Sequence, residues 1–424
     1  MPEVTGYLPL VAPQDDEKIL SFPDPSPERT CTDSGSCWPV RSWCANWHRV
    51  SVIAAFALVA IYRLQSPSAT SWHYFVTASE AVNGANWVHL YARHPELQFG
   101  PVSAYSASLV RYIGGSHAVG VLQIALSCAF VAIVWMLDAF AISVGVLHAR
   151  RRRLVAAGGL LLAVPWTELS VTTGHLDDAI AMVAIVASVS ATARGRTMLA
   201  ALCLALAVDA KPWACVLIPI LFVERAPRAW RGIGIAVTLI ATAWLPFIVG
   251  DPSTLGATRF TIANDVASSL RWLGVRDART PVWDRPAQLA IGLGLACWFV
   301  RRGRWQAVFL GGVAARLLLD PGTHKYYAVG LILGAIVYDI SIAARRMPLM
   351  TATMFALVYL PVYVPWISAS ERGALRLLAC SGAIVMSILS TRNGALSATK
   401  SRRDDPAGRP MKTVSIKQGA LHRR

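Results

Sequence analysis

The sequence predicts an all-α, polytopic integral membrane protein with about 10–12 transmembrane helices, each needing roughly 20 apolar residues. Three observations carry this. Of 424 residues, 55% are hydrophobic and only 15% charged, against about 25% charged in an ordinary soluble protein. The apolar residues come in long blocks that recur from Val50 to Leu389. The 40 Lys and Arg, source of a formal charge of +16, gather largely in short clusters between those blocks. A soluble multidomain protein is excluded, and the basic excess reads as membrane topology rather than as a nucleic-acid face.

The blocks that read as spans are 50–64, 118–147, 154–169, 179–193, 232–249, 286–300, 305–319, 326–343, 348–364 and 375–389. Two shorter ones, 197–208 and 213–223, cannot cross a core of about 30 Å at about 1.5 Å per residue, so they read as a broken hairpin. Basic clusters fall at every second connection: Arg150–Arg153, Arg194 and Arg196, Arg225, Arg228 and Arg231, Arg301, Arg302 and Arg304, and Arg345 and Arg346. Cytoplasmic loops retain Lys and Arg, so this alternation places both termini in the cytoplasm of a multi-pass cell-membrane protein. Residues 1–48 are polar, Pro-rich and mildly acidic and read as a disordered cytoplasmic leader. Residues 49–390 form the membrane domain, and 391–424 a basic cytoplasmic tail. The eight cysteines include no CxxC pair and none in an outer loop, so they read as small apolar residues.

The outer connections fall at 67–100, 170–178, 251–285 and 320–325, and their chemistry differs from that of the inner ones. The first carries Trp72, His73, Glu80, Tyr91 and Glu96. Its flat rings with polar tips suit a sugar face or the membrane interface. The second reads Thr-Thr-Gly-His-Leu-Asp-Asp and sets His175, Asp177 and Asp178 against an apolar helix. Adjacent carboxylates at a membrane boundary need an offset: a helix N-terminus to cap, a nearby cation, a metal or a substrate hydroxyl. The hairpin tip, Asp209-Ala-Lys211-Pro212-Trp213, is broken by proline. Its lysine at membrane depth is either paired with Asp209 or functional. On the last turn, Asp320-Pro-Gly-Thr-His324-Lys325-Tyr326, a Pro-Gly turn is followed by two basic residues that open an apolar helix. Arg259, Arg271, Arg276, Arg279 and Arg285 in the 251–285 loop run against the positive-inside pattern and suggest an anionic ligand or lipid face.

Leu90-Tyr91 followed by Phe99-Gly100-Pro101-Val102, then Ala210-Lys211-Pro212, then His324 on a late outer turn resemble, in order and topology, the GT-C superfamily of membrane glycosyltransferases. They are most similar to its GT87-like polyprenol-phosphate-mannose-dependent mannosyltransferases of actinobacteria. The resemblance spans roughly residues 50–390. It implies a GT-C-like fold and an inverting hexosyltransferase that moves a sugar, mannose in the family, from a polyprenyl-phosphate donor to a glycolipid or glycan acceptor on the outer face. It also implies roles. Lys211 would contact the donor phosphate, with Lys325 and Arg271 as further cations. His324 would orient phosphate or acceptor, and Trp72, His73, Tyr91, His175, Trp213 and Tyr326 would line the sugar and lipid. The family's base is an Asp soon after the first span, whereas Ser71 stands at the matching position here. Asp177 or Asp178 is then the expected base, with Glu80 or Glu96 as alternatives. No cofactor is required by the pattern, although a divalent cation remains an option at His175, Asp177 and Asp178. A carrier of lipid-linked saccharides and a catalytically idle envelope scaffold are the competing readings.

Overall fold

The computed structural model describes residues 40–65, 69–342 and 347–390, with side chains from Asn46 onward. Most of the leader and the whole tail lie outside these residues. The chain divides into Met1–Ala45 and Asn46–Arg424, and the second unit holds the helical bundle. It is all-α: among the described residues the only strand-like pairing is a single antiparallel bridge between Ala263 and Arg279.

Helix α1 (Val40–Arg63) begins inside the stretch read as leader. The first outer connection is not a loop but largely helical, with α2 (Trp72–Asn83), a 3-10 turn at Trp87–His89 and the short α3 (Leu90–Arg93). The sequence also hid α4 (Pro101–Gly114), which runs almost without break into α5 (Ala118–Ser143). Pro101 at its first turn suits a helix start, where no N–H donor is needed. Next come α6 (His148–Thr167), which passes into a π-helical turn at Glu168–Thr173, then α7 (Leu176–Ala193) and α8 (Thr197–Ala210). The chain is extended at Lys211, as expected of a residue before proline, and returns through a 3-10 run, Pro212–Val223. The predicted broken hairpin is therefore observed.

The remaining helices are α9 (Ala226–Gly250), α10 (Ser269–Trp272), α11 (Asp284–Arg301), α12 (Val308–Leu319), α13 (Ala328–Ser341), α14 (Leu349–Met354) and α15 (Ala369–Leu389). Ser368 and Glu371 form a capping box at the start of α15, satisfying two backbone donors reciprocally. Among the described residues, five helices are long and apolar enough to cross a membrane: Pro101–Ser143, His148–Thr173, Leu176–Ala193, Ala226–Gly250 and Ala369–Leu389. Shorter apolar helical stretches are Thr197–Ala210, Pro212–Val223, Trp305–Leu319 and Leu349–Tyr363. Every residue of α13 from Ala328 to Ile340 is buried. By contrast α5, α9 and α15 expose Ile124, Trp135, Leu245, Val249, Leu378 and Leu389. Water would penalise such a surface, whereas lipid accepts it, and the backbone polar groups beneath are satisfied within each helix. The protein is a membrane-embedded helical bundle with a sheath of apolar side chains around α7, α12 and α13.

Candidate functional site

The site forms where α6 ends and α7 begins. Pro165 lies inside α6, and the helix loosens into the π turn that ends at Gly174, whose φ of 67° is in the left-handed region that glycine adopts without strain. The π turn leaves carbonyls free for a neighbouring segment. Ala69 N–H donates to Val171 O at 3.0 Å, Thr70 N–H to Thr172 O at 3.2 Å and Ser71 N–H to Thr173 O at 2.9 Å. Ala69 is the only non-glycine residue with positive φ (55°) among the described residues, a conformation that persists only where the surroundings impose it. This short ladder clips Ser71 beside His175.

His175 precedes α7, and its imidazole is held from three sides. Ser71 Oγ lies 2.9 Å from Nε2, Asp177 Oδ1 lies 3.2 Å from Nδ1, and the Tyr326 ring stacks on it with centroids 3.8 Å apart. Asp177 and Asp178 face inward from the first turn of α7 and are buried. Neither caps the helix: the N-cap makes no side-chain hydrogen bond. Their charge is offset instead by Lys211. Its ammonium contacts Asp177 Oδ2 and lies 3.1 Å from Asp178 Oδ2. The alternative pairing of Lys211 with Asp209 is not seen among the described residues; Asp209 Oδ1 is buried without a hydrogen-bond partner.

The Lys-Pro hairpin is seated by the segment that precedes α4. Gly100 N–H donates to Ala210 O at 2.9 Å and Ser103 Oγ to the same carbonyl at 3.2 Å. A Cβ on Gly100 would lie 2.0 Å from Asp209 O, so only glycine permits this approach. Phe99 stacks on Phe75 at 4.8 Å, and Phe75 meets His175 edge-on at 6.3 Å. On the other side, His324 stacks on Tyr326 at 5.3 Å. Segments far apart in the chain thus converge on one cluster: Ser71, Phe99-Gly100, His175, Asp177, Asp178, Lys211, Tyr326 and His324.

Arg316, which the sequence pattern alone did not single out, completes the surroundings. Its guanidinium lies between the rings of Trp213 (4.9 Å) and Tyr327 (4.8 Å), and its Nε is 3.4 Å from Asp320 Oδ2. A signal was present: an arginine inside the apolar run of α12 is costly unless it serves the interior. A void of about 10 Å³ beside Asp178, lined also by Trp213, Arg316, Tyr326 and Tyr327, has close to the room of one water molecule. A hexose does not fit it. His324 is exposed, and the His175 side chain is 14% exposed against 2% for Asp177 and 6% for Asp178.

Other expected residues lie elsewhere. Glu80 pairs with Arg111 at 3.1 Å on the exposed face of α2, and Glu96 with His94 at 3.2 Å; neither joins the cluster. Tyr91 is core, stacked on Trp244 at 4.9 Å and edge-on to Phe247 at 5.1 Å. Trp72 is buried against Phe75, while His73 is exposed and bonds Thr70 O at 3.0 Å. Arg271 braces its own loop through Asn264 O and Arg276 O. Lys325 points at the Tyr363 ring, 4.8 Å away, near Arg63 and Glu168 (3.6 Å apart), so it belongs to a neighbouring ionic group.

Ligand atoms of His175, Asp177 and Asp178 lie within 4.8 Å of one another, a spacing a divalent ion could use. The Lys211 ammonium, however, already stands against both carboxylates. A metal ion there would face a cation at contact distance, so the donor set does not fit a metal while Lys211 keeps this position. Outside the spans, His89 donates to Asp251 at 2.7 Å. This bond, with a second from Ser253, holds the Asp251 carboxyl down at about 2 and fastens the 3-10 turn at Trp87–His89 to the end of α9. Comparison with family models and with curated proteins finds no match for the chain.

Proposed function

We propose that the protein is a membrane glycosyltransferase that moves a sugar, with mannose the expected one, from a polyprenyl-phosphate donor to a glycolipid or glycan acceptor of the cell envelope. In this reading both termini are cytoplasmic and the cluster faces the opposite side. The observation that carries it is the meeting, in one polar cluster of an apolar bundle, of three of the segments through which the sequence resembles GT-C enzymes, Phe99-Gly100, Ala210-Lys211-Pro212 and His324, while the fourth, Leu90-Tyr91, lies in the core. Glycosyl transfer with inversion needs a group to accept the acceptor's proton and cations near the departing phosphate. A group of the first kind lies within the set His175, Asp177 and Asp178, and Lys211 and Arg316 are of the second kind. His324, exposed and stacked on Tyr326, offers a ring that suits a sugar face.

The test is reconstitution of the full-length protein in lipid nanodiscs with a radiolabelled polyprenyl-phosphate mannose and envelope lipid acceptors. Label recovered in the acceptor supports the reading. Label that crosses the bilayer of a proteoliposome still attached to its polyprenyl phosphate makes the protein a carrier and rejects transferase activity.

A further inference from the structure

We infer that His175, oriented by Asp177, is the group that takes the acceptor's proton, by way of the Ser71 hydroxyl, and that neither aspartate is the base. This rests on the glycosyltransferase reading and deepens it. The geometry is that of a hydroxyl, an imidazole and a carboxylate in series: Ser71 Oγ to His175 Nε2 at 2.9 Å, and His175 Nδ1 to Asp177 Oδ1 at 3.2 Å. Such an arrangement fixes the tautomer with the proton on Nδ1 and leaves Nε2 as the acceptor.

Asp177 is poorly placed to act directly. One oxygen accepts from His175 and the other from Lys211, and the side chain is only 2% exposed. Asp178 is held to the same ammonium. A carboxylate oxygen already engaged by an ammonium is not free to receive a substrate hydroxyl, and the same two carboxylates lie beside the imidazole. The charged or titratable groups around the ring are Asp177 and Asp178 on α7, Lys211 at the hairpin tip, and His324 and Tyr326 before α13. The two carboxylates lie 3.2 and 3.6 Å from Nδ1, and the Tyr326 face stacks on the ring, so the imidazolium is stabilised as it forms.

In the reaction the acceptor oxygen forms its bond to the anomeric carbon as the bond from that carbon to the phosphate oxygen breaks, and polyprenyl phosphate leaves with the electron pair. The acceptor's proton passes to Ser71 Oγ while the Ser71 proton passes to His175 Nε2. Ser71 is not itself a nucleophile for acyl transfer. Its own N–H is bonded to Thr173 O and that of Trp72 to Ala69 O, so neither is available to stabilise an oxyanion. The position at which the enzymes it resembles carry Asp is thus filled by the outer end of a relay.

The test measures transfer in nanodiscs for the wild type, His175→Asn, Ser71→Ala, and the double variant Ser71→Asp with His175→Asn. His175→Asn is expected to lower kcat by about 100-fold or more with the KM for donor unchanged, and to abolish the acid limb of the pH–rate profile. Ser71→Ala is expected to lower kcat less, also without a change in donor KM. Ser71→Asp is expected to recover transfer in the His175→Asn background, since it returns a carboxylate to the acceptor side. If His175→Asn is misfolded by size exclusion and thermal unfolding, Ser71→Ala decides: wild-type kcat overturns the relay and a lowered kcat at constant KM supports it. Wild-type transfer with an unaffected His175→Asn overturns this inference alone, whereas no transfer by the wild type overturns the glycosyltransferase reading and this inference with it.

Discussion

Lys211 shows how a single ammonium can hold a site together inside an apolar bundle. Two carboxylates at adjacent positions of α7 would repel each other, and burying them is costly without a partner. With its side chain only 11% exposed, Lys211 meets both, so the three charges are tolerated as a unit. Removing one partner of such a buried group leaves uncompensated charge and costs about 3–5 kcal/mol. Lys211→Met is therefore expected to lower the thermal unfolding temperature of the detergent-solubilised protein sharply. Adding Asp177→Asn and Asp178→Asn to Lys211→Met should recover part of the loss. A Lys211→Met protein as stable as the wild type would show that the pair is not held by this ion contact. The same logic governs Asp138, buried in α5 and bound by His48, Arg49 and Arg151. Here too an acidic residue within an apolar run marks an interior ionic joint rather than a break in a span. Arg316 belongs with these. Its type and position were legible in the sequence, but its neighbours Trp213, Tyr327 and Asp320 come from other segments.

Among the elements, the short hairpin of α8 and Pro212–Val223 sets the position of Lys211. Pro212 ends α8 because the residue before a proline avoids helical ψ, and the returning limb is a 3-10 run whose longer rise per residue spreads few residues over more distance. The tip is then fixed from outside by Gly100. Because a Cβ there would overlap the Asp209 carbonyl at 2.0 Å, Gly100→Ala must displace either the start of α4 or the hairpin tip. We expect Gly100→Ala to lower thermal stability and to reduce transfer more than Gly120→Ala, at which a Cβ meets nothing within 4 Å. Paired unfolding and activity measurements on the two variants check this, and equal behaviour would mean that the close approach is not needed. The hairpin was readable from two apolar runs too short to cross, and from Pro212. The helices of the first outer connection were not. Trp72–Asn83 mixes His, Tyr, Glu and Asn with apolar residues, and its helical state follows from packing against α4, a partner the sequence does not announce.

At the scale of the molecule, the distribution of arginines argues for one orientation. Clusters at Arg150–Arg153, Arg194 and Arg196, and Arg225–Arg231 flank the ends of helices opposite to the end of α6 and the start of α7 where the cluster lies. If basic turns stay cytoplasmic, a single cysteine placed at Gly256 reacts with a membrane-impermeant maleimide in intact cells, while one placed at Gly195 reacts only after permeabilisation. Both variants are made in a background with the native cysteines replaced, and the reverse pattern would put the cluster on the cytoplasmic side. The sequence by itself determined the class of molecule, because partition of side chains into lipid is nearly additive along the chain and helical hydrogen bonds are local. It also nominated His175, Asp177, Asp178, Lys211 and His324, since polar groups at membrane boundaries are too costly to be incidental. Only the tertiary structure decided how these are paired. It gave Lys211 to Asp177 and Asp178 instead of Asp209, placed Ser71 on His175 and turned Tyr91 into core. Each of these depends on contacts between distant segments, whose short-range interactions act over a few ångströms and have no trace in local composition.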